Sequence, residues 1–236
     1  MLGLGNSIIS GAALGFSPAD ISNLALWLKN GTGVTAAQWD DSSGNDNHVT
    51  QGTSGNQAAV SGGGLDFEKD NADHYDITSK ITISDEHNFI VGFVITPENP
   101  GTDTADRMCI LGDDNNEFVD IRSDKIAVNC SGTEVLFTGD AALFSNGTKA
   151  AVVISRNDGA TGTHNFFVNG STPAGSYNDQ TINKGFEFDE LGVRNGTGRP
   201  FDGIIHELVV YDLGTGTHTA AELTALNNYF TSKFGI

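Results

Sequence analysis

The stretch Phe201-Asp202-Gly203-Ile204-Ile205-His206-Glu207-Leu208-Val209-Val210-Tyr211 limits the fold more than any other part of the chain. Side chains of a strand point alternately to its two faces. One face here carries Ile204, Leu208 and Val210, interrupted by His206. The other carries Ile205, Val209 and Tyr211, interrupted by Glu207. Two largely apolar faces mean a central strand covered on both sides. Gly203 ahead of it marks a bend or the close approach of another backbone. Next, Thr219-Ala220-Ala221-Glu222 forms a capping box, in which the hydroxyl and the carboxylate each satisfy the other residue's amide. Leu223, Leu226, Phe230 and Phe234 follow at helical spacing as one apolar stripe. Lys233 suits the negative end of the helix dipole, and Gly235 ends the helix.

The rest of the chain reads as short strands between turn signals. Ser17 caps a helical turn opened by Pro18. Leu24 to Leu28 is a first core strand, and Phe89 to Ile95 is apolar on both faces and hence central. Met108 to Leu111, Phe118 to Ile121, Ile126 to Asn129 and Val135 to Phe137 form a meander. Lys149 to Ser155, Asn165 to Val168 and Phe186 to Val193 are further strands, and shorter extended segments lie at Val34 to Trp39, through Val49, at Leu65 to Phe67 and at His74 to Ile77. The expected fold is all-β: an antiparallel two-sheet jelly-roll sandwich with a short N-terminal helical turn and one C-terminal helix. It spans residues 17–236 and is preceded by an arm over residues 1–16.

Charge excludes one class of partner. Thirty acidic residues against twelve basic give a net charge of −18, the wrong sign for nucleic acid or an anionic membrane surface. The opening residues lack a basic region, and their apolar run is broken by Gly, Asn and Ser, so they read neither as a signal peptide nor as a membrane span. The Asn-Gly-Thr and Asn-Gly-Ser triplets at Asn30, Asn146, Asn169 and Asn195 match hairpin turns as well as glycosylation acceptors, and are read as turns. Cys109 and Cys130 allow either a disulfide or two reduced core residues, and the second is the favoured reading.

In order and spacing, several segments resemble concanavalin A-like, laminin-G-like jelly-roll modules. They are Leu24-Ala25-Leu26-Trp27-Leu28, Gln38 to His48, Leu65-Asp66-Phe67, Phe166-Phe167-Val168-Asn169-Gly170, the Phe201 to Tyr211 strand and the closing helix. Such modules occur in secreted and surface proteins and in tailed-phage virions, and the opening Met1 to Ser7 is similar to the starts of marine-phage virion proteins. The resemblance implies a non-enzymatic virion structural protein, a capsid decoration, neck or tail-fibre component assembled in the host cytoplasm, whose jelly roll binds glycans. The alternative is a secreted or cell-surface lectin-like module. A glycosidase stands third.

Candidate sites follow from residue chemistry. The glucanase branch of the fold carries Glu, Asp and a second Glu on one strand face. In Glu187-Phe188-Asp189-Glu190-Leu191-Gly192 the second glutamate is missing at the required spacing, and a retaining glycosidase needs a close carboxyl pair. For glycan contact the candidates are Tyr177 and Asn178 in one loop, and His74 and Tyr75 in another. Trp27 and Trp39 lie in apolar contexts and read as core. No cofactor is required. Calcium is the one candidate ion, with ligands Asp113, Asp114, Asn116 and Asp120 in the densest oxygen-rich segment; Asp40-Asp41 with Asn45-Asp46 is a second such segment. Leu2, Leu4, Ile8, Ile9, Leu14 and Phe16 lack a period that would bury them, and are expected to attach the arm to other virion proteins or to copies of the same chain.

Overall fold

The structure, a computed structural model, describes residues 15–158, 161–179 and 181–236. In chain order the strands are β1 (Leu24–Leu28), β2 (Gln38–Trp39), β3 (Val49–Thr50), β4 (Ala59–Ser61), β5 (Gly64–Phe67), β6 (Tyr75–Ile83), β7 (Asn88–Pro97), β8 (Met108–Gly112), β9 (Phe118–Arg122), β10 (Lys125–Cys130), β11 (Thr133–Gly139), β12 (Ala150–Arg156), β13 (His164–Val168), β14 (Gly175–Tyr177), β15 (Phe186–Leu191) and β16 (Gly203–Gly214). One α-helix, α1 (Ala220–Phe234), follows.

The strands form two antiparallel sheets, as expected of a jelly-roll sandwich. One runs β13-β12-β7-β16-β5-β4, with β1 also paired to β16. The other runs β14-β11-β10-β9-β8-β15-β6-β3-β2. Apolar side chains from the facing surfaces, among them Phe67, Phe93, Val119, Val128, Phe137, Phe166 and Leu208, fill the space between them. A second apolar layer lies between the other face of the smaller sheet and α1, where Leu223, Leu226 and Phe230 meet Ile90, Val94, Val153, Val209 and Tyr211. Gly92, in the middle of β7, makes this docking close: a Cβ there would stand 2.8 Å from the Phe230 ring. No helix among the described residues is long and apolar enough to cross a membrane.

β16 is the central strand that its sequence predicts, flanked by β7 and by β1 and β5, but its faces do not alternate strictly. A bulge between Ile205 and Glu207 shifts the phase. Ile205, Leu208 and Val210 therefore share the core between the sheets, while Val209, Tyr211 and Leu213 turn toward α1. Gly203 is the close approach expected of it: it has φ +118°, and a Cβ there would lie 2.2 Å from the Thr96 carbonyl oxygen. The capping box forms at both ends, with Thr219 N donating to Glu222 Oε2 (2.6 Å) and Glu222 N to Thr219 Oγ1 (3.1 Å). Gly235 closes the helix in the left-handed region.

Two strands have no counterpart in the sequence reading. β4 and β14 are three-residue edge strands whose composition reads as turn, and only pairing to β5 and β11 makes them strands. Cys109 and Cys130 are both buried and free, and burial pushes the Cys130 thiol up to about 12. Of the expected arm, Leu2, Leu4, Ile8, Ile9 and Leu14 lie outside the described residues. Phe16 is described, and it packs edge-on against Tyr229 of the chain's own helix, with ring centroids 6.2 Å apart. That contact corrects the expectation that Phe16 has no place on the sandwich.

Candidate functional site: a rim cleft and an arginine-lined sheet face

The four residues expected to contact glycans are committed within the fold. Tyr75 is fully buried, and its hydroxyl donates to the Ala36 carbonyl at 2.7 Å. His74 sits beside it, with Nδ1 2.8 Å from the Ala72 carbonyl. The Tyr177 ring turns inward from edge strand β14, with centroids 5.0 Å from Phe137 and 5.6 Å from Phe166. Burial raises its phenol above the ordinary range. The Asn178 amide ties β11, accepting from Leu136 N at 2.7 Å and donating to the Glu134 carbonyl at 3.0 Å. None of these rings offers an open platform. The period-2 pattern and the loop composition could not separate a ring pointing in from one pointing out.

The four expected calcium ligands separate as well. Asp114 serves its own turn, accepting from Asn116 N at 2.6 Å and facing the Asn116 amide at 3.4 Å. Asp113 instead meets Glu117 and Glu187, and oxygens of these three carboxylates lie within 4.8 Å of one another. Lys80 reaches the same place: its Nζ is 2.7 Å from Asp113, 3.4 Å from Glu187 and 3.7 Å from Asp189. The hydrogen bond to Asp113 raises the lysine further above its ordinary range. An ammonium thus already stands among the carboxylates. Glu187 and Asp189 do share a strand face, and what they share on it is this lysine. In the second oxygen-rich segment, Asp41 is spent on its loop, with one oxygen accepting from Trp27 N at 2.9 Å and Ser43 N at 2.8 Å.

Asp120 belongs to a different place. Ile121 faces the core, so alternation puts Asp120 and Arg122 on the outer face of the larger sheet. Asp120 is 1% exposed, with Arg199 Nη1 at 2.6 Å and Arg107 Nη1 at 3.4 Å. Arg107 also makes a two-pronged contact with Glu134, at 2.6 and 3.1 Å. Burial pushes the Asp120 carboxyl up to about 6, against the pull of the two guanidiniums. It therefore does not join the calcium set with Asp113. Arg194, Arg199 and Arg107 lie over the buried Phe118 ring, at 4.8, 4.4 and 6.0 Å from its centroid. Four of the chain's five arginines gather on this one face. They are dispersed in sequence, so no local motif announces them.

A cleft of about 600 Å³ opens at one rim of the sandwich, between the segment after β1 and the β4–β5 turn. Gly31 N donates to the Gly63 carbonyl at 2.7 Å and joins the two segments. The Asn30 amide crosses to the Gly62 carbonyl at 2.9 Å and the His206 carbonyl at 3.1 Å, so this Asn-Gly-Thr triplet serves a turn. Glycine lets the segments around the cleft approach closely. At Gly33 (φ +63°) a Cβ would collide with Asp40 at 2.4 Å, and at Gly63 (φ +80°) with Asn30 at 2.8 Å. The walls present Thr35, Gln38 and Asp40, with Gln38 Nε2 donating to Asp40 Oδ1 at 2.6 Å. Val60, 52% exposed, adds an apolar contact. Thr35 Oγ1 serves its own turn, donating to the Gln38 carbonyl at 3.1 Å and accepting from Gln38 N at 3.0 Å. The cleft thus offers a carboxylate, an amide and bare backbone, groups that match the donors and acceptors of a polyhydroxylated ligand.

No family model and no curated protein sequence matches the chain. Solved structures do resemble it in fold. The binding domain of a paraclostridial mosquitocidal protein matches at TM-score 0.59 and 15% identity, over 88% of this chain and 52% of that one. A sialidase from Trypanosoma rangeli, solved in complex with a difluorinated nonulosonic acid, matches at TM-score 0.57 and 14% identity, over 91% of this chain and 33% of that one. Domain 4 of an extracellular arabinanase from Geobacillus stearothermophilus, solved in complex with arabinotriose, matches at TM-score 0.50 and 19% identity, over 87% of this chain and 98% of that one. The chain thus spans about half the length of the first of these, a third of the second and nearly all of the third. What the chain shares with these structures is the fold.

Proposed function

We propose that the chain is a non-catalytic, lectin-like glycan-binding domain that takes a neutral saccharide in the rim cleft. The observation that carries this reading is the cleft itself. It is an open volume of about 600 Å³, bordered by left-handed glycines and walled by Thr35, Gln38 and Asp40. Its size suits one or two sugar rings, and its polar groups are preformed on hydrogen-bonded turns, which lowers the ordering cost of binding. The fold shared with the arabinanase domain solved with arabinotriose supports the same class of ligand. Attachment to a tailed-phage virion through the arm stays with the resemblance in sequence.

The test is a glycan array followed by titration calorimetry on the hits, with the whole chain and with Gln38→Ala. Binding of a neutral oligosaccharide that weakens about 10-fold or more in Gln38→Ala supports the cleft, as expected for losing one hydrogen-bonding group. Unchanged binding in that variant would move the site elsewhere, and an array without hits would remove the reading.

A further inference from the structure

We infer that the outer face of the larger sheet around Arg122 is a second binding site, one for the oxyanion of an acidic saccharide: a carboxylate or a sulfate ester carried on a sugar. The inference goes beyond the rim cleft and does not depend on it.

The reasoning starts from what each arginine on this face is doing. Arg107 is held by Glu134 and Asp120, and Arg199 by Asp120. Arg194 stacks on Phe118 and donates to the Asn115 carbonyl at 3.0 Å. Arg122 does none of these things. It retains 5% of its surface, lies in no ion pair, stacks on no ring and makes no hydrogen bond among the described residues; its Nε, like those of Arg107 and Arg194, is buried without an acceptor. Its nearest like charge is close. The pairing of Met108 with Ile121 places Arg107 beside Arg122 at the end of the β8–β9 ladder, and burial, together with that neighbour, lowers the Arg122 guanidinium below its ordinary range against the pull of Asp120, Glu134 and Asp124.

A guanidinium whose Nε is desolvated with no acceptor is costly to keep. Asp120, Glu134 and Asp124 act on Arg122 through space, yet among the described residues no carboxylate forms an ion pair with it. A purely structural role would be served better by an apolar side chain of similar volume. A role in binding explains the arrangement, because a planar guanidinium without an internal partner is preorganised for a two-pronged contact with a carboxylate or sulfate oxygen pair. Next to this face, the same end of β8 opens onto a cavity of about 320 Å³ lined by Arg107, Arg199 and Lys69, with Asp106, Asn99 and Pro200 on its walls; Arg122 adjoins Arg107 without lining the cavity itself. The saccharide carrying the anion has room there, beside three more cations, each of which also holds a carboxylate of the chain.

The experiment is calorimetric titration of the whole chain, wild type and Arg122→Met, with three probes: a glucuronate-containing disaccharide, galactose 6-sulfate and neutral lactose. The expected result is that at least one acidic probe binds the wild type, weakens with added salt, and loses about 10-fold or more in Arg122→Met. Neutral-sugar binding at the cleft stays as it was. Binding of the glucuronate alone, or of the sulfate alone, identifies which group the site takes. Arg122→Met should also melt no lower than the wild type, because an unpaired buried charge is gone. If neither acidic probe binds the wild type, or if both bind Arg122→Met as tightly, the proposal is overturned. A melting temperature several degrees lower in Arg122→Met, with acidic-probe binding restored by Arg122→Lys to the wild-type value, would also overturn it, since the guanidinium fork would then be dispensable.

Discussion

Lys233 Nζ lies 2.6 Å from Glu207 Oε2, joining the last turn of α1 to the middle of the central strand β16. Glu207 is wholly buried, and its other oxygen accepts from Trp27 Nε1 at 2.8 Å and Tyr229 Oη at 2.7 Å. The residue that interrupts an apolar strand face in the sequence is therefore the peg on which the helix hangs. The bulge before Glu207 turns it to the helix side, and three donors from two elements satisfy it.

Removing one member of this group should be costly. Lys233→Met leaves a buried carboxylate with only neutral donors, and we expect a loss of about 3 kcal/mol in urea denaturation, the range for breaking a buried pair. Glu207→Gln, which keeps the shape, should cost less, about 1–2 kcal/mol. A loss below about 0.5 kcal/mol for Lys233→Met, the ordinary effect of a surface substitution, would mean that the pair does not hold the helix.

Gly203→Ala tests the crossing at the start of β16. The added methyl would meet the Thr96 carbonyl oxygen at 2.2 Å, in a backbone conformation with φ +118°. We expect destabilisation of at least about 2 kcal/mol, combining strain with displacement of the β16–β7 ladder. Gly31→Ala, also at positive φ (+71°) but with open space around it, should cost about 1 kcal/mol.

His206 sets a pH dependence. Burial and the nearby Lys149 ammonium push its imidazole down to about 4, and its Nε2 lies 2.8 Å from Thr96 Oγ1. The unfolded chain protonates this histidine near 6.5, while the folded chain resists until about 4. Between those values the unfolded state binds more protons, so stability is fully present above about 6.5 and declines as the pH falls toward 4. The loss attributable to His206 should be on the order of 3 kcal/mol. Urea midpoints for the wild type and His206→Gln at pH 7.5 and pH 4.5 should converge at the acid end. Parallel curves would assign the acid sensitivity to other groups.

Calcium offers a test of the Lys80 cluster. With the ammonium already among Asp113, Glu117 and Glu187, millimolar calcium should leave the wild-type melting temperature within about 1 °C. Lys80→Ala frees the three carboxylates. Calcium at ten times its dissociation constant would then stabilise that variant by about 1.4 kcal/mol, or roughly 3 °C. A calcium-dependent rise in the wild type, absent in Asp113→Asn, would show that the ion displaces the lysine.

Much of the architecture could be read along the chain because its causes are local. The capping box at Thr219 and Glu222, the stripe of Leu223, Leu226 and Phe230, the doubly apolar β7 and β16, and the meander β8 to β11 all form as their patterns dictate. The rest depends on what lies opposite. A bulge that moves Ile205 across the strand, an edge that turns Gly175 to Tyr177 into a strand, and a core that draws in Tyr75 and Tyr177 are set by neighbours distant in sequence. The candidate sites depend on tertiary structure most of all. Thr35, Gln38 and Asp40 face Gly63 only after two turns are joined by hydrogen bonds, and Arg107, Arg122, Arg194 and Arg199 share a face only after antiparallel pairing and the connection into β16 bring them together. The sequence alone determines which segments extend, coil or turn, because period and turn chemistry act over a few residues. Which side chains meet, and which charge is left without a partner, is decided by strand register and sheet packing, which act across the whole chain.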